Sequence, residues 1–237
     1  MEEDPIELSV SSLADLAECA CDRCYWLDYY MPPPVPAPVP RVVGDIDRAT
    51  RDAVARWVRR YGRLPDWHPP VGEVRSVLPA HQLTAKVFRY VDRKTGVLLR
   101  GRPDMVFELA DGSYHIVDYK TSRAPGRGQP AESRYRVQLN AYAFLAHQVG
   151  IKPVSGLSVV YLESGSLLSA RHGGYAALAF HAQKRTVSLA ADRLVPPLLR
   201  RAAQILRNPG SPEPHPECDT CQQLVRWARE LVRAAGR

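Results

Sequence analysis

Two C-x2-C pairs lie at opposite ends of this 237-residue chain, Cys21 with Cys24 and Cys218 with Cys221. Each pair presents two thiolates to one metal ion or cluster through a tight turn. If both pairs serve one centre, the two ends of the chain must meet, which constrains the fold more than any other feature. Cys19 is left over, and we expect it to be a small buried apolar residue.

Charge and cysteine usage indicate the compartment and the class of partner. The chain carries 32 Lys and Arg against 25 Asp and Glu, a net charge of +7, which favours a polyanionic partner such as a nucleic acid. No apolar run approaches the ~20 residues of a membrane span, and residues 1–5 are acidic, unlike a secretory signal. An odd number of cysteines, five, fits a metal site better than a disulfide framework, so we expect a cytoplasmic protein.

The first third of the chain is expected to be helical around a stiff connector. The stretch 8–30 has a helix-like pattern, and the proline-rich run 32–40 must be extended because proline fixes φ and donates no hydrogen bond. Residues 46–60 have apolar positions at helical spacing, and Gly62 is expected to end that helix.

The middle of the chain changes to period-two, β-rich runs. Three runs at 83–90, 97–109 and 114–119, separated by turn signals, predict an antiparallel meander. The remaining elements predicted are a helix at 135–149, strands at 157–162 and 176–180, an amphipathic segment at 187–206 interrupted at Pro196 and Pro197, and a basic helix at 222–235.

Length favours one domain covering 1–237. Within it we distinguish a cysteine-bearing segment with its connector (1–40), a core (82–163) and a second cysteine-bearing segment (208–237).

The core contains a candidate metal site. On a strand, Asp118 and Lys120 point to one face while Tyr119 points to the other, and a neighbouring strand can present Asp104 beside them. Two carboxylates and a backbone carbonyl suit Mg²⁺ or Mn²⁺. Taken alone, Asp-x-Lys is also the pattern of an exposed cross-strand ion pair.

These motifs resemble the PD-(D/E)xK nuclease superfamily, and within it the RecB-like branch that includes the CRISPR-associated RecB-like exonucleases. The resemblance rests on Gly101–Asp104, on Ile116–Thr121, and on Gln138 with Tyr142, which is similar to the Q-x3-Y motif of that branch. It extends loosely from Leu13 to Cys221.

The resemblance implies a restriction-endonuclease-like α/β core, a small mixed sheet flanked by helices. It implies that Asp104, Asp118 and the Tyr119 carbonyl bind Mg²⁺ or Mn²⁺, that Lys120 is catalytic, and that Gln138 and Tyr142 orient the site or the DNA.

The function implied is hydrolysis of DNA phosphodiesters, as an exonuclease on single-stranded ends. The alternatives are a structure-selective endonuclease, and a non-catalytic DNA-binding or assembly subunit of a helicase or CRISPR adaptation complex. In similar proteins, terminal cysteines hold a [4Fe-4S] cluster, which here implies Cys21, Cys24, Cys218 and Cys221. Zinc is the rival, because the family arrangement is one early and three late cysteines, and free thiols are a third interpretation.

One position departs from the family pattern. RecB-like nucleases have a histidine ligand in a G-x3-H motif, whereas Gly44 is followed at that spacing by Arg48. Asp45 or Asp47 is a candidate substitute. The alternative is that these aspartates only complement the dipole at the start of a helix.

Overall fold

Two β-sheets and six α-helices make up the part of the chain that the computed structural model describes, residues 5–31, 40–126, 130–169 and 176–235. The strands are β1 (Ile6–Ser9), β2 (Val74–Val77), β3 (Arg89–Asp92), β4 (Val97–Arg100), β5 (Met105–Leu109), β6 (Tyr114–Lys120), β7 (Val154–Ser169) and β8 (Ala176–Val187). The helices are α1 (Val10–Glu18), α2 (Asp22–Tyr30), α3 (Arg41–Tyr61), α4 (Pro130–Gln148), α5 (Ala191–Leu206) and α6 (Asp219–Ala235).

The larger sheet has the strand order β2-β5-β6-β7-β8. Its neighbours are antiparallel except β6 and β7, which are parallel and are connected through α4. Such a parallel pair needs a crossover connection, and a helix is the usual one. The smaller sheet, of order β1-β4-β3, pairs β1 parallel and β3 antiparallel with β4. Both sheets are therefore mixed, and the chain has the α/β class that the sequence predicts.

The two faces of the larger sheet pack against different helices. On one face α4 lies between the sheet and the helices α1 and α5. The core on this face includes Leu139 and Leu145 of α4 and Val159 of β7. On the other face α3 covers a smaller core that includes Val54, Val58 and Phe107. We call these faces the α4 side and the α3 side.

The predicted meander is wrong, because its second run forms two strands. The run 97–109 is broken at Gly101–Asp104, so that β4 belongs to the smaller sheet and β5 to the larger one. Pro103 cannot donate to a sheet ladder, which explains a break at this position. The run 83–90 is mostly turn, and its strand covers only Arg89–Asp92.

Two other expectations also need correction. The stretch 8–30 is not one helix, because its first residues belong to β1 and the rest forms α1 and α2. Pro196 and Pro197 do not interrupt α5. They remove only the hydrogen bonds to the carbonyls of Asp192 and Arg193, which lie in the exposed first turn where water can replace them.

The other predicted helices and strands are present, but β7 and β8 extend beyond the predicted 157–162 and 176–180, and α5 begins at Ala191. Strand β2 was not predicted. Helix α3 ends at Gly62, which has a φ of 65° and whose N–H donates to the Val58 carbonyl. Helix α4 buries Val137, Ala141, Phe144 and Leu145. The proline-rich run at 32–39 lies outside the described residues. None of the described helices is both long and apolar enough to cross a membrane.

Candidate active site and cysteine centre

Strand β6 presents its residues alternately to the two sides of the larger sheet. Asp118 and Lys120 face the α4 side, and Tyr119 faces the α3 side, where its ring joins the smaller core. The Tyr119 hydroxyl lies 2.8 Å from His68 Nε2 and donates to it, since Nδ1 of the same ring is 2.7 Å from the Pro69 carbonyl. Burial lowers the pKa of His68 to about 4, so that the ring is neutral and can accept this hydrogen bond.

Asp118 is a buried carboxylate with an incomplete set of partners. Its residue is 3% exposed, and Lys120 Nζ lies 2.6 Å from Oδ2. The Lys120 ammonium is the one donor that the described residues bring to Oδ2. Burial raises the pKa of Asp118 to about 6, although Lys120 opposes the shift. A buried carboxylate oxygen with a single partner keeps a lone pair that can bind a cation.

Lys120 is held as a cation at the same place. Burial alone would lower its pKa, but Asp118 and then Asp104 raise it above the ordinary value. Its Nζ also lies 5.0 Å from the centre of the Tyr135 ring. The ammonium is therefore charged at neutral pH and is fixed beside the carboxylate.

Asp104 immediately precedes β5, and each of its carboxylate oxygens accepts one hydrogen bond. Its Oδ2 accepts the Tyr119 backbone N–H at 2.9 Å, and its Oδ1 accepts Arg51 Nη1 at 2.9 Å. Strand β5 begins at Met105, which pairs with Val117, so β5 does not reach Tyr119. The Tyr119 N–H on that side of β6 therefore donates to a side chain instead of to a neighbouring strand. Asp104 is thus held at the amide of the residue that follows Asp118.

Gln138 and Tyr142 stand on one face of α4, one turn apart, and support Asp118. Gln138 Nε2 is 3.4 Å from Asp118 Oδ1 and 3.3 Å from the Tyr142 hydroxyl. The Tyr142 ring packs directly over Gly101, where a Cβ would lie 2.8 Å from Tyr142 Cε1 and 2.7 Å from Val10 Cγ2. Glycine is thus needed at 101 because α1 and α4 approach the backbone there.

Helix α3 supplies Arg51, which the sequence did not single out. Arg51 bridges Asp104 and Asp47, with Nη2 2.9 Å from Asp47 Oδ2. Asp47 thus lies at the edge of the site, where burial and then the neighbouring Asp104 raise its pKa. Asp45 lies apart and is paired with exposed Arg41 and Arg48. Of the two aspartates proposed to replace the family histidine, only Asp47 reaches the site.

The four cysteines of the C-x2-C pairs converge. All four sulfur atoms, of Cys21, Cys24, Cys218 and Cys221, lie within 4.8 Å of one another. The closest approaches are 3.4 Å between Cys24 and Cys218, 3.5 Å between Cys24 and Cys221, and 3.6 Å between Cys21 and Cys221. The chain ends therefore meet at a four-cysteine site, while Cys19 stays outside it and contacts the Cys21 carbonyl.

The chemistry of these thiols suits a metal. Burial tends to raise the pKa of Cys21, but the His215 N–H and the neighbouring thiols lower it to about 6, whereas burial raises the pKa of Cys221 to about 11. The cluster thus holds one thiolate easily and resists further deprotonation, because like charges would meet. A bound cation removes that obstacle.

The sequence model of the PD-(D/E)XK nuclease superfamily matches residues 26–225, so the chain belongs to that superfamily. No curated protein matches the chain. A solved structure titled "Crystal structure of SSO0001" is similar over 90% of this chain and 80% of that chain, at 16% identity and a TM-score of 0.44.

Proposed function

We propose that this chain is a Mg²⁺- or Mn²⁺-dependent deoxyribonuclease that hydrolyses phosphodiester bonds as an exonuclease on single-stranded ends. Membership of the nuclease superfamily supports metal-dependent cleavage, and the basic net charge of +7 supports a nucleic-acid substrate. The observation that carries the proposal is the buried Asp118 carboxylate, which lies 2.6 Å from the Lys120 ammonium, with Asp104 held at the amide of the next residue, Tyr119.

The residues present fit a hard divalent cation. Asp104 and Asp118 would hold it together with the Tyr119 carbonyl, which points to the same side of β6 as the Tyr119 N–H that meets Asp104. When bound, the ion supplies Lewis-acid charge against the phosphodiester.

The other residues act through charge and position. Lys120 keeps its proton and stabilises negative charge as it develops on the phosphoryl oxygens. Gln138 and Tyr142 hold Asp118 Oδ1 in place from α4. Arg51 fixes Asp104, and its bond must loosen or share that carboxylate when a cation binds.

The test uses end-labelled single- and double-stranded DNA with Mg²⁺ or Mn²⁺, wild-type protein and Lys120→Ala. We expect wild-type protein to shorten single strands from an end and the variant to lose this activity. Internal cuts at junctions or flaps would move the assignment to a structure-selective endonuclease. Cleavage that requires a 2′-hydroxyl would make it a ribonuclease.

A second candidate is a non-catalytic DNA-binding or assembly subunit of a helicase or CRISPR adaptation complex. Two observations favour it: Arg51 already pairs with both Asp47 and Asp104, and Arg48 stands where the family has a histidine ligand. Retained DNA binding with no cleavage in either protein would support this candidate.

For the cysteine centre we propose a bound metal, either a [4Fe-4S] cluster or zinc. The family resemblance favours the cluster. The sulfur spacing favours zinc, because a tetrahedral site with Zn–S bonds of about 2.3 Å has sulfurs about 3.8 Å apart. Anaerobic purification followed by metal analysis and visible absorption distinguishes them, since only the cluster absorbs in the visible range. Retention of the metal in a reducing, cytoplasmic compartment is part of this proposal.

A further inference from the structure

A cleft lies beside Lys120 on the α4 side of the larger sheet. It has a volume of about 300 Å³ and runs between the first half of α4 and the strands β7 and β8. Tyr135 and Arg136 line it from α4, and Tyr161, Arg185 and Thr186 line it from the strands. This volume is at the lower end of the range for sites that bind small ligands, about 300–1,000 Å³.

Strand register connects the cleft to the candidate active site. Asp118 pairs with Val159, and Val159 pairs with Arg185, so Arg185 shares the face of Asp118 two strands away. At about 4.8 Å per strand the two residues are roughly 10 Å apart. Lys120 in turn pairs with Tyr161. Tyr135 both lines the cleft and carries the Lys120 ammonium over its ring, so the cleft opens directly beside the lysine.

The side chains of the cleft have the chemistry that recognises a nucleotide. Arg185 is half-buried, and no carboxylate of the described part of the chain forms an ion pair with it. The lining has two arginines, Arg136 and Arg185, against one carboxylate, Glu132. The Tyr135 and Tyr161 rings lie edge to face, with centres 6.2 Å apart. Aromatic rings bind bases by stacking, and arginines bind phosphates.

We propose that this cleft binds the nucleotide next to the phosphodiester that is cut, with Tyr135 contacting its base and Arg185 the phosphate beyond it. The inference rests on the nuclease function proposed above and names the part of the substrate that the enzyme holds. A strand that enters along β7 and β8 passes Arg185 first and reaches Lys120 next.

The first experiment measures phosphate contact. A fluorescent single-stranded oligonucleotide is titrated with wild-type protein in Ca²⁺ at several salt concentrations, and its anisotropy gives Kd. One lost phosphate contact on a single strand reduces the slope of log Kd against log salt by about 0.7. We expect this reduction in Arg185→Met and a restored slope in Arg185→Lys.

The matched control is Arg193→Met. Arg193 lines a different cavity together with His147, near the end of α4 remote from Tyr135. His147 and Tyr135 are twelve positions apart on that helix, about 18 Å at 1.5 Å per residue. Arg193→Met therefore removes the same charge without touching the cleft, and its slope should equal that of wild-type protein.

The second experiment measures base contact. An abasic site is moved along the oligonucleotide, and wild-type protein should lose affinity at one position by about 5- to 150-fold, the range expected for one stacked base. Tyr135→Leu should bind intact and abasic strands equally, and Tyr135→Phe should keep the difference. If Tyr135 had only a structural role, Tyr135→Leu would weaken the binding of intact and abasic strands alike.

The failures of the two proposals can be told apart. The subsite alone is overturned if wild-type protein binds and cleaves DNA but Arg185→Met leaves the salt slope unchanged. It is also overturned if no abasic position shows a loss of affinity that depends on Tyr135. No binding and no cleavage by wild-type protein overturns the nuclease proposal and the subsite with it. Thermal melting of every variant ensures that folded proteins are compared.

Discussion

Arg51 Nη1 lies 2.9 Å from Asp104 Oδ1, and the other terminal nitrogen of the same guanidinium lies 2.9 Å from Asp47 Oδ2. The positive charge of Arg51 on α3 therefore already lies against Asp104, a carboxylate that is expected to bind the metal ion. This charge opposes the entry of a second cation, and the hydrogen bonds of Arg51 orient the Asp104 carboxylate.

Replacing Arg51 should strengthen metal binding. In Arg51→Gln we expect the affinity for Mn²⁺ to rise roughly tenfold, equivalent to about 1.4 kcal/mol, because the competing charge is removed. Arg48→Gln is the matched control, since Arg48 makes only an exposed ion pair with Asp45 on the same helix. Isothermal titration with Mn²⁺ measures both. Weaker binding in Arg51→Gln would instead make Arg51 a support for the site.

Replacing Asp118 should separate metal binding from folding. Asp118→Asn keeps the shape of the side chain but replaces a carboxyl group whose pKa burial has raised to about 6. We expect wild-type protein to melt at a higher temperature in Mn²⁺ than in EDTA, and the variant to lose that difference together with cleavage. A variant that retains the metal-dependent shift would exclude Asp118 as a ligand.

Gly101 should tolerate no side chain. In Gly101→Ala the new Cβ would lie 2.7 Å from Val10 Cγ2 and 2.8 Å from Tyr142 Cε1, so these groups must move. We expect a loss of about 1–3 kcal/mol in the free energy of unfolding, measured with urea. Gly44→Ala is the control: nothing lies within 4 Å of its Cβ and Gly44 is inside α3, so stability should rise by about 0.5–1 kcal/mol. Equal effects of the two changes would contradict the packing described.

Two buried histidines should make the fold sensitive to mild acid. Burial lowers the pKa of His68 and of His115 to about 4 from the ordinary 6.5. His115 lies on the face of β6 opposite Asp118, with its Nε2 2.9 Å from the Ser158 hydroxyl of β7. An unfolded chain binds protons more readily between these pKa values, so stability is full above pH 6.5 and falls towards pH 4. Each histidine accounts for up to about 3 kcal/mol of that loss.

The acid sensitivity can be assigned by difference. His68→Gln keeps an acceptor for the Tyr119 hydroxyl but cannot titrate, so its unfolding free energy should depend less steeply on pH than that of wild-type protein between 6.5 and 4. Urea unfolding at several pH values measures both curves. The raised pKa of Asp118 acts in the opposite sense, but it is common to both proteins and cancels in the difference. Parallel curves would show that His68 does not contribute.

The cysteine site should hold the chain ends together. Cys221→Ser removes one of four converging sulfurs and should lower both metal content and melting temperature, because metal binding contributes directly to folding. Cys19→Ser is the control, since Cys19 lies outside the cluster. Chelation should lower the melting temperature of wild-type and Cys19→Ser proteins but change Cys221→Ser much less. If Cys221→Ser melts like wild-type protein, the site does not stabilise the fold.

Local periodicity was sufficient to predict part of the site. The alternation of side chains along β6 put Asp118 and Lys120 on one face and Tyr119 on the other. The spacing of Gln138 and Tyr142 put both on one face of α4. Gly62 was recognised as a helix end because its left-handed backbone favours glycine. These features depend on neighbours within about four residues.

Long-range contacts decided the rest. The sequence could not show that β4 and β5 belong to different sheets, because strand pairing depends on partners such as β1, which lies about ninety positions earlier. Nor could it show that Arg51 meets Asp104, fifty-three positions away. The two C-x2-C pairs indicated only that the two cysteine-bearing segments could share one metal centre. Packing of α2 against α5 and α6 brings the segments together. Spacing along the chain thus determined which side chains share a face, whereas tertiary packing determined which faces meet, since burial of apolar surface rewards contacts regardless of sequence separation.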